Sequence, residues 1–206
     1  MKKRHLAMLL SKLEGFSEPK PELEQYRTPG NVAAELLWLA HSAGDIVEKV
    51  VADLGTGTGV LAIGAKLLGA EKVYAVEVDP KALEVAKRNA ERSGVEVEFI
   101  QADVSEFSER VDTVVMNPPF GSQKKGADRP FLLKAFEVSN TVYSIHLAKL
   151  EVRSFIERFS ADNGFTAFRL ATVPFEIPAQ FFFHRKKLER ILVDLYLFRR
   201  VPDGKA

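Results

Sequence analysis

The sequence predicts an α/β fold with a mostly parallel sheet. Strand-like and helix-like stretches alternate from residue 49 to residue 117, and the connections between them are short, as in strand–helix–strand units. Glycine or polar residues close successive strand-like runs, at Gly55, Glu77, Asp103 and Asn117. The carboxyl ends of parallel strands are where such sheets bind ligands. At 206 residues and 46% hydrophobic content, the chain fits one core. A single domain is expected over 1–206, with an N-terminal helical segment at 1–45 and the α/β core at 46–206.

The elements follow in order. Leu6, Leu9, Leu10 and Leu13 recur at helical spacing and predict a helix over 3–14. "GFSEPKPELEQYRTPG" (15–30) carries prolines and glycines, so it is expected to be extended or turning. An apolar helix follows over 31–43, with Asn31 as its expected N-cap. "KVVADLG" (49–55) reads as a strand, "VLAIGAKLLG" (60–69) as a helix and "KVYAVEVD" (72–79) as a strand. "PKALEVAKRNAERSG" (80–94) is the clearest helix, because Asp79 can cap it, Pro80 opens it and Gly94 ends it. "VEVEFIQAD" (95–103) and "VDTVVMN" (111–117) are further strands. Beyond them the pattern predicts helix at 130–140, strand at 141–146 and helix at 148–162. "FTAFRLATVPFEI" (165–177) and "RILVDLYLFRR" (190–200) have no helix between them and predict a closing antiparallel hairpin.

Composition excludes some functions. There is no cysteine, so disulfides and Cys-based zinc or redox sites are ruled out; this fits a cytoplasmic protein. The net charge of +1 points to no partner by itself. Local basic stretches, "MKKRH", Lys124–Lys125 and "HRKKLER" (184–190), could meet phosphates or lie solvated. No apolar run is long enough to cross a membrane, and the apolar stretch at 6–10 is shorter than a secretory signal.

"DLGTGTGVL" (53–61) places Gly55, Gly57 and Gly59 at the first strand-to-helix turn. The dinucleotide fingerprint Gly-x-Gly-x-x-Gly is broken, because Val60 takes its third glycine position. The spacing found, preceded by Asp53, fits the amino-acid end of S-adenosylmethionine better than a pyrophosphate, since an acid can hold its ammonium. Glu77 lies 22 residues after Gly55, where a carboxylate can accept hydrogen bonds from ribose hydroxyls. Asp103 is placed to receive an adenine amine, and the Val104 N–H to meet a ring nitrogen. Each feature alone also fits a plain turn or loop cap; together they point to a nucleoside.

Strand four closes on Asn117-Pro118-Pro119-Phe120. The Asn117 side-chain oxygen and the Pro118 carbonyl can each accept an N–H of a planar exocyclic amine. Those bonds turn its lone pair toward a sulfonium methyl, and proline holds the carbonyl in place. Phe120 can stack on a base; a proline turn with a core phenylalanine is the competing reading. No strong base is needed before transfer, so orientation and electrostatics carry the chemistry.

At these residues the chain resembles class I S-adenosylmethionine-dependent methyltransferases, and more closely the methyltransferase-like protein 5 family of ribosomal RNA adenosine N6-methyltransferases. The resemblance spans about residues 22–200 and includes "LEQYRTP", "MNPPFGS", "VYSIH", "IPAQFFFHRKK" and "VDLYLF". It implies a Rossmann-like, seven-stranded, mostly parallel sheet with a C-terminal antiparallel hairpin and N-terminal helices. It implies that Gln25 and Thr28 contact the cofactor, that Tyr26 closes the site as part of a lid, and that Gly55, Thr58, Gly59 and Val60 form the glycine loop. It implies Glu77, Asp103 and Val104 for ribose and adenine, and Asn117, Pro118, Pro119 and Phe120 for the target amine. The substrate it implies is an adenosine in small-subunit ribosomal RNA, and it implies a Trm112-type zinc-binding activator on an open sheet edge, the third strand. Two departures stand out: "YRTPG" displaces a proline that relatives often place directly after the tyrosine, and Thr56 and Thr58 stand where some relatives carry cysteines.

The aromatic and basic loop "FFFHRKK" suits single-stranded RNA through Phe183, His184, Arg185, Lys186 and Lys187; a hairpin with inward phenylalanines is the alternative. Lys124 and Lys125 fit a phosphate or a solvated loop. His146 and Trp38 read as structural. The tetrapeptide leaves guanine N2, DNA adenine or protein glutamine open as acceptors, and a non-catalytic RNA-binding factor is the reading from another class.

Overall fold

A computed structural model describes residues 1–121, 124–178 and 188–202. Its seven strands form one sheet in the order β3-β2-β1-β4-β5-β7-β6. The strands are β1 (Val50–Leu54), β2 (Lys72–Glu77), β3 (Glu98–Gln101), β4 (Thr113–Met116), β5 (Thr141–Leu147), β6 (Phe165–Pro178) and β7 (Leu188–Arg200). The first five are parallel. β7 runs antiparallel between β5 and β6, so the expected hairpin closes one end of the sheet.

The parallel strands are apolar on both sides because both faces are covered. Val51, Val73 and Val115 join one apolar cluster with Leu6, Leu10, Leu36 and Leu37. Their sequence neighbours Ala52, Tyr74, Val114 and Met116 join a second cluster with Leu132, Phe136 and Ile156. Helices α1 (Lys3–Ser11), α2 (Gly30–Ser42), α3 (Val60–Leu67) and α4 (Pro80–Arg92) supply the first face, and α5 (Arg129–Val138) with α6 (Leu150–Asp162) the second. Gly30 lets α1 and α2 touch: a Cβ there would sit 2.4 Å from Ser11 Oγ and 2.5 Å from its N.

Two local expectations need correction. Asn31 does not cap α2; it lies inside the helix, and the N-cap is Pro29, which makes no side-chain cap bond. The proline fixes an extended entry, at φ −59° and ψ 138°, that leaves the next residue to begin the helix. The third strand is confined to Glu98–Gln101, paired in parallel with Tyr74–Glu77 of β2. The segment before α2 turns as expected, with a 3₁₀ turn at Pro21–Leu23. Asp79, by contrast, caps α4 as expected, accepting from Lys81 N at 3.2 Å. Among the described residues, no helix is long and apolar enough to cross a membrane.

Candidate functional site

The carboxyl ends of β1, β2 and β4, the turn after β3 and the 16–28 segment enclose a cleft of about 380 Å³. Gln25, Tyr26, Thr28, Asp53, Gly55, Thr58, Val60, Glu77, Asp103, Val104, Asn117, Pro119 and Lys124 all line it. Gly59, Pro118, Phe120 and Lys125 adjoin it in sequence without lining it. Phe183, His184, Arg185, Lys186 and Lys187 lie outside the described residues.

The glycine turn is shaped by sterics. Gly55 adopts φ +74°, and a Cβ there would lie 2.7 Å from Phe131 Cε1. Both the positive φ and the close ring require glycine. Asp53, 1% exposed, ties this turn from below. Its Oδ2 accepts from Thr56 Oγ1 at 2.6 Å and from Ala62 N at 2.9 Å. Its Oδ1 is buried and has no partner among the described residues. Burial pushes the Asp53 carboxyl up to about 7, aided by the nearby Glu77 charge and opposed by the Thr56 and Ala62 bonds. A buried acceptor without a donor is costly, so this atom calls for a cationic or N–H group in the cleft.

Glu77 closes β2 and is also pushed up, chiefly by burial. It accepts from Gly57 N and Asp79 N, each at 2.9 Å, and so holds the glycine turn against the end of β2. Asp103 is exposed and caps the 3₁₀ turn Val104–Glu106 in a reciprocal capping box. Ser105 N and Oγ both donate to its Oδ1, at 2.9 and 2.6 Å, and the Ser105 hydroxyl holds its carboxyl below the usual range. The cap and the cleft wall are therefore one residue.

Just past β4, Asn117 Nδ2 donates to Thr28 Oγ1 at 2.9 Å. Asn117 Oδ1 is buried with no partner among the described residues, as is Thr58 Oγ1. Phe120 turns away from the cleft and packs edge-to-face on Phe175, with centroids 5.6 Å apart. His146 is buried, shares a 2.8 Å bond with Ser144 Oγ and does not line the cleft, in keeping with a structural role.

The 14–28 segment crosses the cleft as a strap. Gln25 Nε2 donates to Asp79 Oδ2 at 2.8 Å, and Lys20 Nζ meets Asp79 Oδ1 at 2.9 Å. Gln25 Oε1 accepts from Lys20 N at 2.8 Å. Arg27 Nη2 donates to Leu10 O at 2.7 Å, fixing the strap to α1. Exposed pairs of Glu14 with Arg88 and Arg92, and of Glu18 with Lys81, add little each.

Sequence reasoning missed Asn89. This residue is 1% exposed. Its Oδ1 accepts from Glu14 N at 2.8 Å, and its Nδ2 donates to Glu14 O at 3.0 Å and to Thr58 O at 2.9 Å. It joins the strap, α4 and the glycine turn. The signal was present in the sequence: Asn89 falls in the apolar stripe of Ala82, Val85, Ala86 and Ala90, and a polar residue there needs partners. Asn89→Ala is expected to lower unfolding free energy by about 2–3 kcal/mol, since it orphans buried backbone groups. Urea denaturation of the two proteins measures this.

Known proteins bear on this cleft. Residues 32–139 match the family model described as the methyltransferase small domain. The zebrafish protein named rRNA N(6)-adenosine-methyltransferase METTL5 is 37% identical, covering 96% of this chain and 99% of its own. An uncharacterized Methanocaldococcus jannaschii protein is 38% identical over 98% of this chain and 95% of its own. The crystal structure of a candidate RNA methyltransferase from Pyrococcus horikoshii superposes with a TM-score of 0.93 at 63% identity, covering 98% of both chains. Together with the sheet order and the cleft at its carboxyl rim, these likenesses place the chain: it belongs to the METTL5 family of methyltransferases, built on the methyltransferase small domain.

Proposed function

We propose that the protein methylates the exocyclic N6 amine of an adenosine in ribosomal RNA, in the small subunit, with S-adenosylmethionine as donor. One observation carries the reading: Asn117 and Asp53 line the same cleft, and the buried Oδ1 of each has no partner among the described residues. The first suits the N–H of an acceptor amine and the second an ammonium. The relatives' printed activity names the same chemistry.

The residues present fit the donor. Asp53 would hold its ammonium, Glu77 its ribose hydroxyls, and Asp103 with Val104 its adenine. Gln25, Tyr26 and Thr28 would close over it from the strap, and Thr58 and Val60 would give it a close floor, with Gly59 making the turn between them. Bound there, S-adenosylmethionine supplies an electrophilic methyl group on a sulfonium.

The chain's own task is orientation. Asn117 Oδ1 and the Pro118 carbonyl accept the two N–H groups of the amine. An aromatic amine conjugates its lone pair into the ring, and these bonds favour the pyramidal nitrogen that can attack. As the amine becomes cationic in the transition state, both acceptors face growing positive charge and strengthen. Pro119 restricts the backbone beside them. Phe120 holds the loop to β6 through Phe175. Lys124, exposed at the cleft mouth, and Lys125 beside it supply phosphate contacts.

The reading extends to a partner and a place. β3 is an edge strand, with Glu98 on it and Glu96 just before it both exposed, and a Trm112-type zinc-binding activator would pair there. Co-purification with such a protein supports this; failure to bind any homologue from the same source counts against it. Ribosomal RNA as substrate supports a cytoplasmic location.

The test is incubation with tritiated S-adenosylmethionine and unmodified ribosomal RNA, followed by nucleoside analysis. Label in N6-methyladenosine is the expected result. Label only in another nucleoside, or in protein, overturns the acceptor.

A further inference from the structure

The strap does more than cover the cleft. Among its residues Glu24 stands apart in three ways. It is 9% exposed. Its backbone is left-handed, at φ 49° and ψ 43°, a conformation a side-chain-bearing residue holds only when its surroundings over-determine it. And its Oε2 accepts from the backbone N–H of Phe120 at 2.9 Å, across 96 positions of sequence.

That bond lands on the last residue of the Asn117–Phe120 tetrapeptide. Phe120 N follows two prolines, which have no N–H to donate. It is thus the first backbone donor after Asn117 by which the loop can be held from outside. Thr28, four residues on, takes Asn117 Nδ2 at 2.9 Å. The strap therefore grips both ends of the tetrapeptide. The same strap reaches Asp79 at the end of β2 through Lys20 and Gln25.

We propose that Glu24 is a positioning residue for methyl transfer: its carboxylate fixes the Phe120 N–H and thereby the Pro118 carbonyl and Asn117 amide that receive the amine. This rests on the function proposed above and deepens it. The left-handed turn aims the carboxylate at the loop; glycine would make that turn more easily but bring no acceptor.

That contrast supplies the test. Glu24→Gln keeps an acceptor oxygen of the same reach. Glu24→Gly keeps and relaxes the turn while deleting the acceptor, so loss of folding does not confound it. Single-turnover methyl transfer from tritiated S-adenosylmethionine to unmodified small-subunit ribosomal RNA is measured for each, alongside cofactor affinity by titration. Glu24→Gly is expected to slow transfer by about 10- to 100-fold, the worth of a charge-assisted hydrogen bond. Glu24→Gln is expected to stay within about fivefold of wild type, and cofactor affinity to change by less than about threefold. In protein labelled with ¹⁵N-phenylalanine, the Phe120 amide should lose hydrogen-exchange protection in Glu24→Gly and keep it in Glu24→Gln.

An active wild type matched by Glu24→Gly overturns this role alone, as does Glu24→Gln falling as far as Glu24→Gly. A drop in cofactor affinity large enough to explain the rate loss assigns Glu24 to the donor side and also overturns it. A wild type that transfers no methyl group overturns the proposed function, and this role with it; the Phe120 amide then still reports whether the contact exists.

Discussion

Asn117→Ala is expected to lower single-turnover methyl transfer by about 100-fold or more, with cofactor affinity nearly unchanged. In the proposed reaction the side-chain oxygen is one of two acceptors offered to the amine, and preorganised polar groups of this kind are each worth roughly 10²–10³ in rate. The loss should fall on kcat, because the bond strengthens as the nitrogen becomes cationic. The fold should tolerate the change. Among the described residues, Asn117 Nδ2 bonds only the hydroxyl of Thr28, which alanine leaves near the open cleft, and Asn117 Oδ1 bonds nothing. Asn117→Asp separates charge from geometry: it keeps an acceptor oxygen but loses the donor to Thr28, and an intermediate rate is expected. Retention of full activity by Asn117→Ala would remove Asn117 from the chemistry.

The second large effect concerns pH. Burial raises the Asp53 carboxyl to about 7 in the folded chain, against 3.8 for the unperturbed group. The folded state therefore holds a proton that the unfolded chain releases above about pH 4. Stability of the ligand-free protein should fall as pH rises from about 4 to about 7, and level off beyond. A cation placed at Asp53 reverses the balance, because it favours the ionised carboxylate. Cofactor affinity should then weaken as pH falls below about 7, by up to roughly tenfold per unit. Calorimetric titration between pH 5.5 and 7.5 checks this, as does proton release measured in two buffers of different ionisation enthalpy. Asp53→Asn should bind more weakly at pH 7.5 and lose the pH dependence. An affinity flat across that range in the wild type would contradict an ammonium at Asp53.

The fold was legible because its signals are local. Alternation of strand and helix, the Asp79–Pro80 start of α4 and the glycine turn all arise within a few residues, and each appears where expected. The β6–β7 hairpin was legible for the same reason: two strand-like runs had no helix between them. Asn31 misled because asparagine is a good cap in general, while Pro29 had already set the chain's entry to α2. The glycine turn, the acids after β2 and β3 and the tetrapeptide after β4 could be placed on one rim from strand order alone. What held them there could not. Asn89 reaches Glu14 across 75 positions and Glu24 reaches Phe120 across 96. Such bonds depend on how the strap lies over the sheet, and no periodicity encodes that. Phe120 illustrates the same limit: its ring chose Phe175 on β6 over the cleft, a choice set by packing between elements far apart in sequence.

The central claim is that a sulfonium methyl donor occupies the cleft between Asp53, Glu77 and Asn117. Co-crystallisation with S-adenosylhomocysteine tests it most directly. The predicted result is density along that cleft, with the amino group on Asp53 Oδ1, the ribose on Glu77 and the sulfur on the side of Asn117. Ligand found elsewhere on the molecule, or lying in the cleft with its sulfur turned away from Asn117, would contradict it.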